Sequence, residues 1–177
     1  MIALQRINTT HIDYLFVEKL LHDAFPSSER RDDWQQRKYT DEKELFHCLL
    51  IRDIETPIGL ITYWQFKDFI YIEHFAINES LRNKGYGQQA MKLFLKEASM
   101  PVVLEVEMPR VKGDITHRRI AFYRRQGFKL RRMPYKQPPY RITDKWLPMK
   151  IMSSGKGKWE KIAETVRNTI YSEVYGV

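Results

Sequence analysis

The stretch Ile77-Asn78-Glu79-Ser80-Leu81-Arg82-Asn83-Lys84-Gly85-Tyr86-Gly87-Gln88 leads from an apolar strand pattern into an amphipathic helix pattern. Glycines at such a junction let the backbone take positive φ, and the first amides of a helix have no intrahelical acceptor. Those free N–H groups and the helix dipole favour an anion, and Arg82 and Lys84 add positive charge. A pyrophosphate is the natural guest; an ordinary glycine-containing helix start is the competing explanation. Gly85-Tyr86-Gly87-Gln88-Gln89-Ala90 also satisfies the dinucleotide pattern G-x-G-x-x-G/A, with Glu105 and Glu107 downstream as the ribose-binding acid. Spacing argues against it. Seven residues separate Ile77 from Gly85, where the dinucleotide fold places its first glycine almost directly after the strand. The nucleotide P-loop pattern is absent.

Charge gives a second pointer. Arg110, Lys112, Arg118, Arg119, Arg124, Arg125, Lys129, Arg131 and Arg132 face a single acid, Asp114, within one segment, which carries the whole net charge of +8. A field so confined suits an anionic ligand or partner, such as a phosphate-bearing cofactor or an acidic protein; a solvated helix face is the plain alternative. Nucleic acid is disfavoured, because neither aromatic stacking motifs nor zinc-finger spacing accompanies the basic residues.

The elements that must position these residues follow from periodicity. Ile2 to Ile7 alternates as a first strand, and Thr10 with Asp13 marks a helix start before Phe16, Leu20, Leu21 and Ala24. A second helix is expected over Trp34 to Phe46, then strands at His47–Arg52, Ile58–Phe66 and Phe69–Asn78 joined by short hairpin connections. Met91, Phe94, Leu95 and Ala98 define a helix containing Gln88 to Ala98. A strand at Pro101–Glu107 and a helix between Thr116 and Gln126, capped by Gly127, come next. Strands at Phe128–Met133 and Trp146–Met152 precede a final helix whose Trp159, Ile162, Ala163, Val166 and Ile170 share a face. The sum is an α/β (α+β) chain with a mixed, mostly antiparallel twisted sheet of about seven strands flanked by helices.

At 177 residues, 43% of them apolar and 13% aromatic, the chain is sized for one domain with a sizeable core. A single cysteine, Cys48, excludes an intramolecular disulfide framework, and no Cys/His cluster has zinc spacing, so no metal is expected. The first residues lack a basic leader followed by an apolar run, and no apolar stretch nears the roughly 18 residues that span a bilayer. A cytoplasmic protein without a membrane partner is the expectation.

Arg82-Asn83-Lys84-Gly85-Tyr86-Gly87 resembles the Q/R-x-x-G-x-G/A acyl-CoA signature of the GNAT superfamily of N-acetyltransferases. Tyr71-Ile72-Glu73-His74-Phe75-Ala76-Ile77 resembles that family's fourth strand, and Ala121 to Phe128 resembles its A-x-x-F-Y-x-x-x-G-F segment apart from the early alanine spacing. The resemblance implies a GNAT-like domain over residues 1–152 and a C-terminal helical extension, 153–177, packed on it. It implies that acetyl-CoA is the cosubstrate, with its pyrophosphate on the backbone amides of Asn83, Lys84, Gly85, Tyr86, Gly87 and Gln88 and with Arg82 holding the loop. Phe75, Ala76 and Ile77 would pair with the pantetheine arm like a strand. Thr116 stands where the family often has a pantetheine-binding Asn, and Arg119 stands where a small residue is usual.

Acetyl transfer to an amine needs a base for the ammonium and an acid for the departing thiolate. Tyr123 aligns with the family tyrosine that often serves as acid; a phenol with a pKa near about 10 holds its proton at neutral pH. Packing between Phe122 and Phe128 is its alternative role. Glu73 is the leading base candidate. Alternation places Tyr71, Glu73, Phe75 and Ile77 on one strand face and His74 on the other, and desolvation on an apolar face raises a carboxylate pKa. A structural carboxylate satisfied by an arginine or a tyrosine hydroxyl is the competing reading. Glu105 and Glu107 are weaker candidates on the neighbouring strand.

Acceptor specificity falls to two loops, Phe25–Arg31 (where Glu29 is the acid able to draw an ammonium) and Met133–Tyr140, whose tyrosines and prolines form a semi-rigid wall. The expected activity is transfer of an acetyl group to a primary amine of a small or peptidyl acceptor by direct attack, since nothing around Cys48 suggests a nucleophile. The alternative is a non-catalytic module that binds CoA or an acidic partner through residues 110–132. A homodimer stays open.

Overall fold

The computed structural model describes residues 1–109, 114–155 and 158–177. In chain order the elements are β1 (Ile2–Ile7), α1 (Tyr14–Ala24), α2 (Asp33–Glu42), β2 (Phe46–Asp53), β3 (Thr56–Gln65), β4 (Ile70–Ile77), α3 (Tyr86–Glu97), β5 (Val102–Glu107), α4 (Ile115–Arg125), β6 (Lys129–Leu130), β7 (Met149–Ser153) and α5 (Trp159–Thr169). The last helix runs on into a π turn, Ile170–Tyr175. The strands form one seven-stranded sheet in the order β1-β2-β3-β4-β5-β7-β6. β4 and β5 run parallel through the α3 crossover, and the other adjacent strands pair antiparallel. The mixed, mostly antiparallel sheet expected from the sequence is therefore the one found.

Alternation sorts the apolar residues into layers. Ile51, Ile61, Ile72 and Leu104 meet Met91 and Phe94 of α3 and Ile120 of α4 on one face. Cys48, Leu50, Leu60 and Ala76 meet Val17, Leu20 and Leu21 of α1 on the other. A third cluster on that second face joins Phe46, Trp64, Tyr71, Val103 and Ile151 to Trp159, Val166 and Ile170, so the C-terminal helix packs on the sheet.

Boundaries shift where local chemistry overrides periodicity. The Thr10 hydroxyl is spent on Asn8 Oδ1, and the first helix begins at Tyr14. The second helix stops at Glu42, because Phe46 is drawn into the core as the first residue of β2. The expected strand Phe128–Met133 shrinks to Lys129–Leu130, and β7 starts only after Pro148, which has no N–H for a ladder.

Two irregularities of β4 make the site. Its ladder with β5 runs only from Ile70↔Val102 to Ile72↔Leu104, although both strands continue, so they splay beyond that point. On its other side, Tyr63 pairs with Ile72 and Thr62 pairs with His74, which leaves Glu73 as the extra residue of a bulge.

Candidate active site

A cleft of about 750 Å³ opens at the splay. Phe75, Ala76 and Ile77 of β4 line it, as do Glu105 and Glu107 of β5, Phe25 and Glu29 of the α1–α2 connection, and Phe122 and Tyr123 of α4. Arg82 and Arg125 line both this cleft and a smaller adjoining one, which Gly85, Tyr86, Gly87 and Gln88 complete. The cleft thus has a basic end at the glycine loop and carboxylates elsewhere on its wall.

Backbone conformation builds the loop. Gly85 is the N-cap of α3 with φ +81°, and Asn83 also lies in the left-handed region, which asparagine tolerates better than most residues. The Arg82 Nε donates to the Ile77 carbonyl at 3.2 Å and ties the loop to the end of β4. The Tyr86 hydroxyl donates to Asp53 Oδ2 at 3.0 Å and anchors the first turn. A Cβ built on Gly87 would meet Ile77, Phe75 and Phe122 at 3.6–3.8 Å, so this glycine faces the gap between β4 and α4. Unpartnered first-turn amides, a close backbone approach and Arg82 and Arg125 together suit a pyrophosphate followed by an extended arm. Among the residues named for this role from the sequence, Lys84 is exposed and does not line either cleft. Thr116 does not line them either; its hydroxyl donates to Asp114 Oδ1 at 2.6 Å in the cap of α4. Arg110 and Lys112 of the basic segment lie outside the described residues.

Glu73 keeps the face it was expected to share with Tyr71, but the residues after it depart from alternation, and its charge state differs from expectation. The bulge puts Glu73 and His74 on the same side of the sheet, while Phe75 turns to the opposite side and stacks on Phe122 at 6.0 Å between centroids. His74 is buried, bonded through Nδ1 to the Thr62 hydroxyl and through Nε2 to the Glu29 carbonyl, so it holds the α1–α2 connection in place. The Glu73 carboxylate accepts from Arg31 at both oxygens, from Trp64 Nε1 at 3.0 Å and from the Tyr140 hydroxyl at 2.6 Å. Burial works to raise its pKa, but Arg31, His74 and the donated hydrogen bonds prevail and hold it below the usual carboxylate range. The raised pKa expected of a base is thus corrected. Glu73 lines the cleft but has the partners of the competing structural reading, an arginine and a tyrosine hydroxyl, with the arginine sandwiched among Tyr39, Phe46, Trp64 and Tyr140.

Glu105 has the opposite balance. Its Oε2 accepts from the Tyr71 and Tyr175 hydroxyls at 2.9 Å each, and its Oε1 accepts from Tyr135. Burial pushes its pKa up to about 7 despite the three tyrosine donors, and the charge of Glu73 adds to the rise. Glu29 is also raised, by burial and then by the negative charge of Glu107, with Arg119 opposing. Tyr123 is 8% exposed, packed edge-on against Phe122 and Phe128, and burial lifts its phenol to about 12. It packs in the core, as the alternative role has it, and it also reaches the cleft wall, where the acid role would need it.

The sequence names Glu105 only as a weaker base candidate and Arg31 only as the end of an acceptor loop, and it gives no sign of Tyr175 at the cleft. Glu105 meets its partners across 30 to 70 residues of chain, and Arg31 reaches Val174 across 143. No local pattern encodes such meetings.

Residues 13–128 match the family model described as the acetyltransferase (GNAT) family, and the chain belongs to that family. A solved structure of a putative GNAT acetyltransferase from Bacteroides thetaiotaomicron is 43% identical, covers 99% of each chain and superposes with a TM-score of 0.94. The putative acetyltransferase YjbC of Bacillus subtilis is 29% identical over 70 residues, which span 40% of this chain and only 36% of that protein. A Bacillus subtilis acetyltransferase solved in complex with CoA shares the fold, with 16% identity, coverage of 87% and 98%, and a TM-score of 0.59. The protein is an acetyltransferase, and the non-catalytic alternative is not favoured. Among the described residues, no helix is long and apolar enough to cross a membrane.

Proposed function

We propose that the enzyme transfers the acetyl group of acetyl-CoA to a primary amine by direct attack within the β4–β5 cleft. The observation that carries this reading is the splay. Phe75–Ile77 continue past the last β5 pair and present backbone to the cleft beside the glycine loop. That backbone suits strand-like pairing with a pantetheine arm, and an amide there would polarise the thioester carbonyl. The first-turn amides of α3 with Arg82 and Arg125 suit the pyrophosphate.

Transfer forms a C–N bond and breaks the C–S bond; the nitrogen of the ammonium sheds one proton before attack and a second after it, and the departing thiolate takes up one. In this reading Glu105 takes the first proton from the acceptor ammonium, directly or through water, which is supported by its place on the cleft wall and by burial that pushes its pKa up to about 7. In this reading Tyr123, which keeps its proton at working pH and lines the cleft, gives that proton to the thiolate and is reprotonated by the second proton the nitrogen sheds. Glu29 and Glu107 offer negative charge to a cationic acceptor, and Tyr140 and Gln137 line the same cleft from the β6–β7 connection. The single cysteine is buried and held in its thiol form, which supports direct transfer over an acyl-enzyme and fits a cytoplasmic setting.

Calorimetric titration with acetyl-CoA, with NAD as control ligand, tests the reading. Micromolar affinity for acetyl-CoA, worth about 8 kcal/mol, beside silence with NAD is expected. Thiol release on screening primary amines then reveals the acceptor. Absence of acetyl-CoA binding would sink the proposal.

A further inference from the structure

The chain after the family match returns to the cleft. Residues 13–128 match the family model, yet two of the three hydroxyls that hold Glu105 come from beyond it, Tyr135 from the β6–β7 connection and Tyr175 from the C-terminal π turn. The turn is firmly seated. Ile170 and Val174 are buried in the cluster that also holds Trp159 and Val166, and Gly176, at φ +74°, ends it. The same turn engages both carboxylate networks. The Val174 carbonyl accepts from Arg31 Nη2, the arginine of Glu73, and the Tyr175 ring packs on Tyr140, which donates to Glu73. Tyr171, one turn earlier, donates to the Lys136 carbonyl and packs on Tyr135. π turns are rare and recur at functional sites.

We infer that Tyr175 is a positioning residue: with Tyr71 and Tyr135 it fixes the Glu105 carboxylate at the cleft wall, so that the C-terminal turn is a working part of the active site. This rests on the acetyltransferase reading with Glu105 as proton acceptor. Three hydroxyl donors leave the carboxylate little freedom to rotate and keep its ionised form accessible against burial and the charge of Glu73. The groups facing it are Tyr71 and Glu73 from β4, Tyr135 and Tyr140 from the β6–β7 connection, and Tyr175. Glu73 raises its proton affinity and the tyrosine donors lower it. Loss of one donor therefore favours the protonated form.

The test uses the full chain labelled with carbon-13 at the glutamate carboxyl, with the Glu105 signal assigned by its loss in Glu105→Gln. Tyr175→Phe keeps the ring on Tyr140 and removes only the hydroxyl. Its expected effect is an upward shift of the Glu105 titration by about one pH unit. Acetyl-CoA affinity by calorimetry should stay within about twofold, since the hydroxyl lies on the carboxylate and not on the glycine loop. Tyr135→Phe provides an independent second variant with the same expected direction. With an amine acceptor from the screen, the acidic limb of kcat/KM should move upward by the same amount, which loss of a merely structural contact would not produce. Acetyl-CoA binding combined with an unmoved Glu105 titration in both variants overturns this inference alone. Failure of wild-type protein to bind acetyl-CoA overturns the acetyltransferase reading and, with it, the active-site role of the turn.

Discussion

Arg31 and Glu73 form a doubly bonded ion pair whose side chains are 1% and 0% exposed, joining the entrance of α2 to the bulge of β4. Both ions have left water, and their attraction offsets that loss only while each keeps its partners. Besides the pair itself, Trp64 and Tyr140 donate to the carboxylate and four aromatic rings surround the guanidinium. The pair holds the α1–α2 connection, with Glu29, against the cleft.

Arg31→Met is therefore expected to strand a buried carboxylate and to cost about 3–5 kcal/mol in urea unfolding at pH 7. Arg31→Met combined with Glu73→Gln should recover a large part of that loss, because no charge is left unpaired. The pH dependence has a definite sign. A carboxyl held below its usual range in the folded state contributes stability above the ordinary carboxylate pKa of about 4, and that contribution fades as pH falls through the lowered value. Glu73→Gln should flatten this acid-side decline. A single Arg31→Met variant as stable as wild type would refute the argument.

Glu105 should set the acidic limb of activity. Because burial pushes its pKa up to about 7, the carboxylate is half protonated near neutrality, and the ionised fraction able to accept a proton falls about tenfold per pH unit below that. For an amine acceptor, kcat/KM is expected to rise about tenfold per pH unit up to about 7 and then to bend. Glu105→Gln should remove that limb and lower turnover by about 10²–10⁴-fold, with acetyl-CoA affinity retained. Stability carries the opposite signature from Glu73: a carboxyl raised in the folded state contributes stability at low pH that is lost as pH climbs through about 7. Unfolding of the glutamine variant followed from pH 4 to pH 8 should therefore show a gain relative to wild type that grows up to about pH 7 and levels off above it.

The contrast between these two carboxylates marks what was legible in the sequence. Strands, hairpins and the crossover helix were legible because Leu49 and Ile51, or Met91 and Phe94, repeat with the period of their own element. The glycine loop was legible because Gly85 and Gly87 act through their own backbone. Past Glu73 the alternation slips by one residue. Alternation assumes an unbroken ladder, and the bulge opposite Thr62 and Tyr63 turns His74 to the side that alternation gives to Phe75. The charge state of Glu73 then depended on Arg31, 42 residues away, and on Tyr140, 67 residues away. The protonation of Glu105 likewise depends on three hydroxyls from three separate elements, which no window of sequence brings together.

Tyr123→Phe separates the two roles of that ring. Phenylalanine keeps the edge contacts with Phe122 and Phe128, so stability should change by less than about 0.5 kcal/mol. Turnover should fall by about 10²–10⁴-fold if the hydroxyl protonates the thiolate, with acetyl-CoA affinity kept. Because burial lifts the phenol to about 12, wild type should show no alkaline limb from this residue below about pH 11. Steady-state rates across pH check both statements, and a Tyr123→Phe enzyme with wild-type turnover would reduce the residue to packing.

Gly85 and Gly127 form a matched pair for testing the glycine loop. Both have positive φ, +81° and +88°, and a Cβ on either has open space, with Gln89 Nε2 at 3.7 Å from Gly85 and nothing within 4 Å of Gly127. Alanine at each should therefore cost backbone strain and not a clash, about 1–2 kcal/mol in unfolding free energy. Only Gly85 caps the helix whose first amides face the smaller cleft. Relaxing its φ re-aims the amides of Tyr86, Gly87 and Gln88, so Gly85→Ala should weaken acetyl-CoA binding by about tenfold or more, about 1.4 kcal/mol. Gly127→Ala should lose similar stability and keep its affinity. Calorimetry on the two variants, alongside denaturant unfolding, distinguishes a loop that holds phosphate from one that merely starts a helix: equal affinity in both would leave only the second.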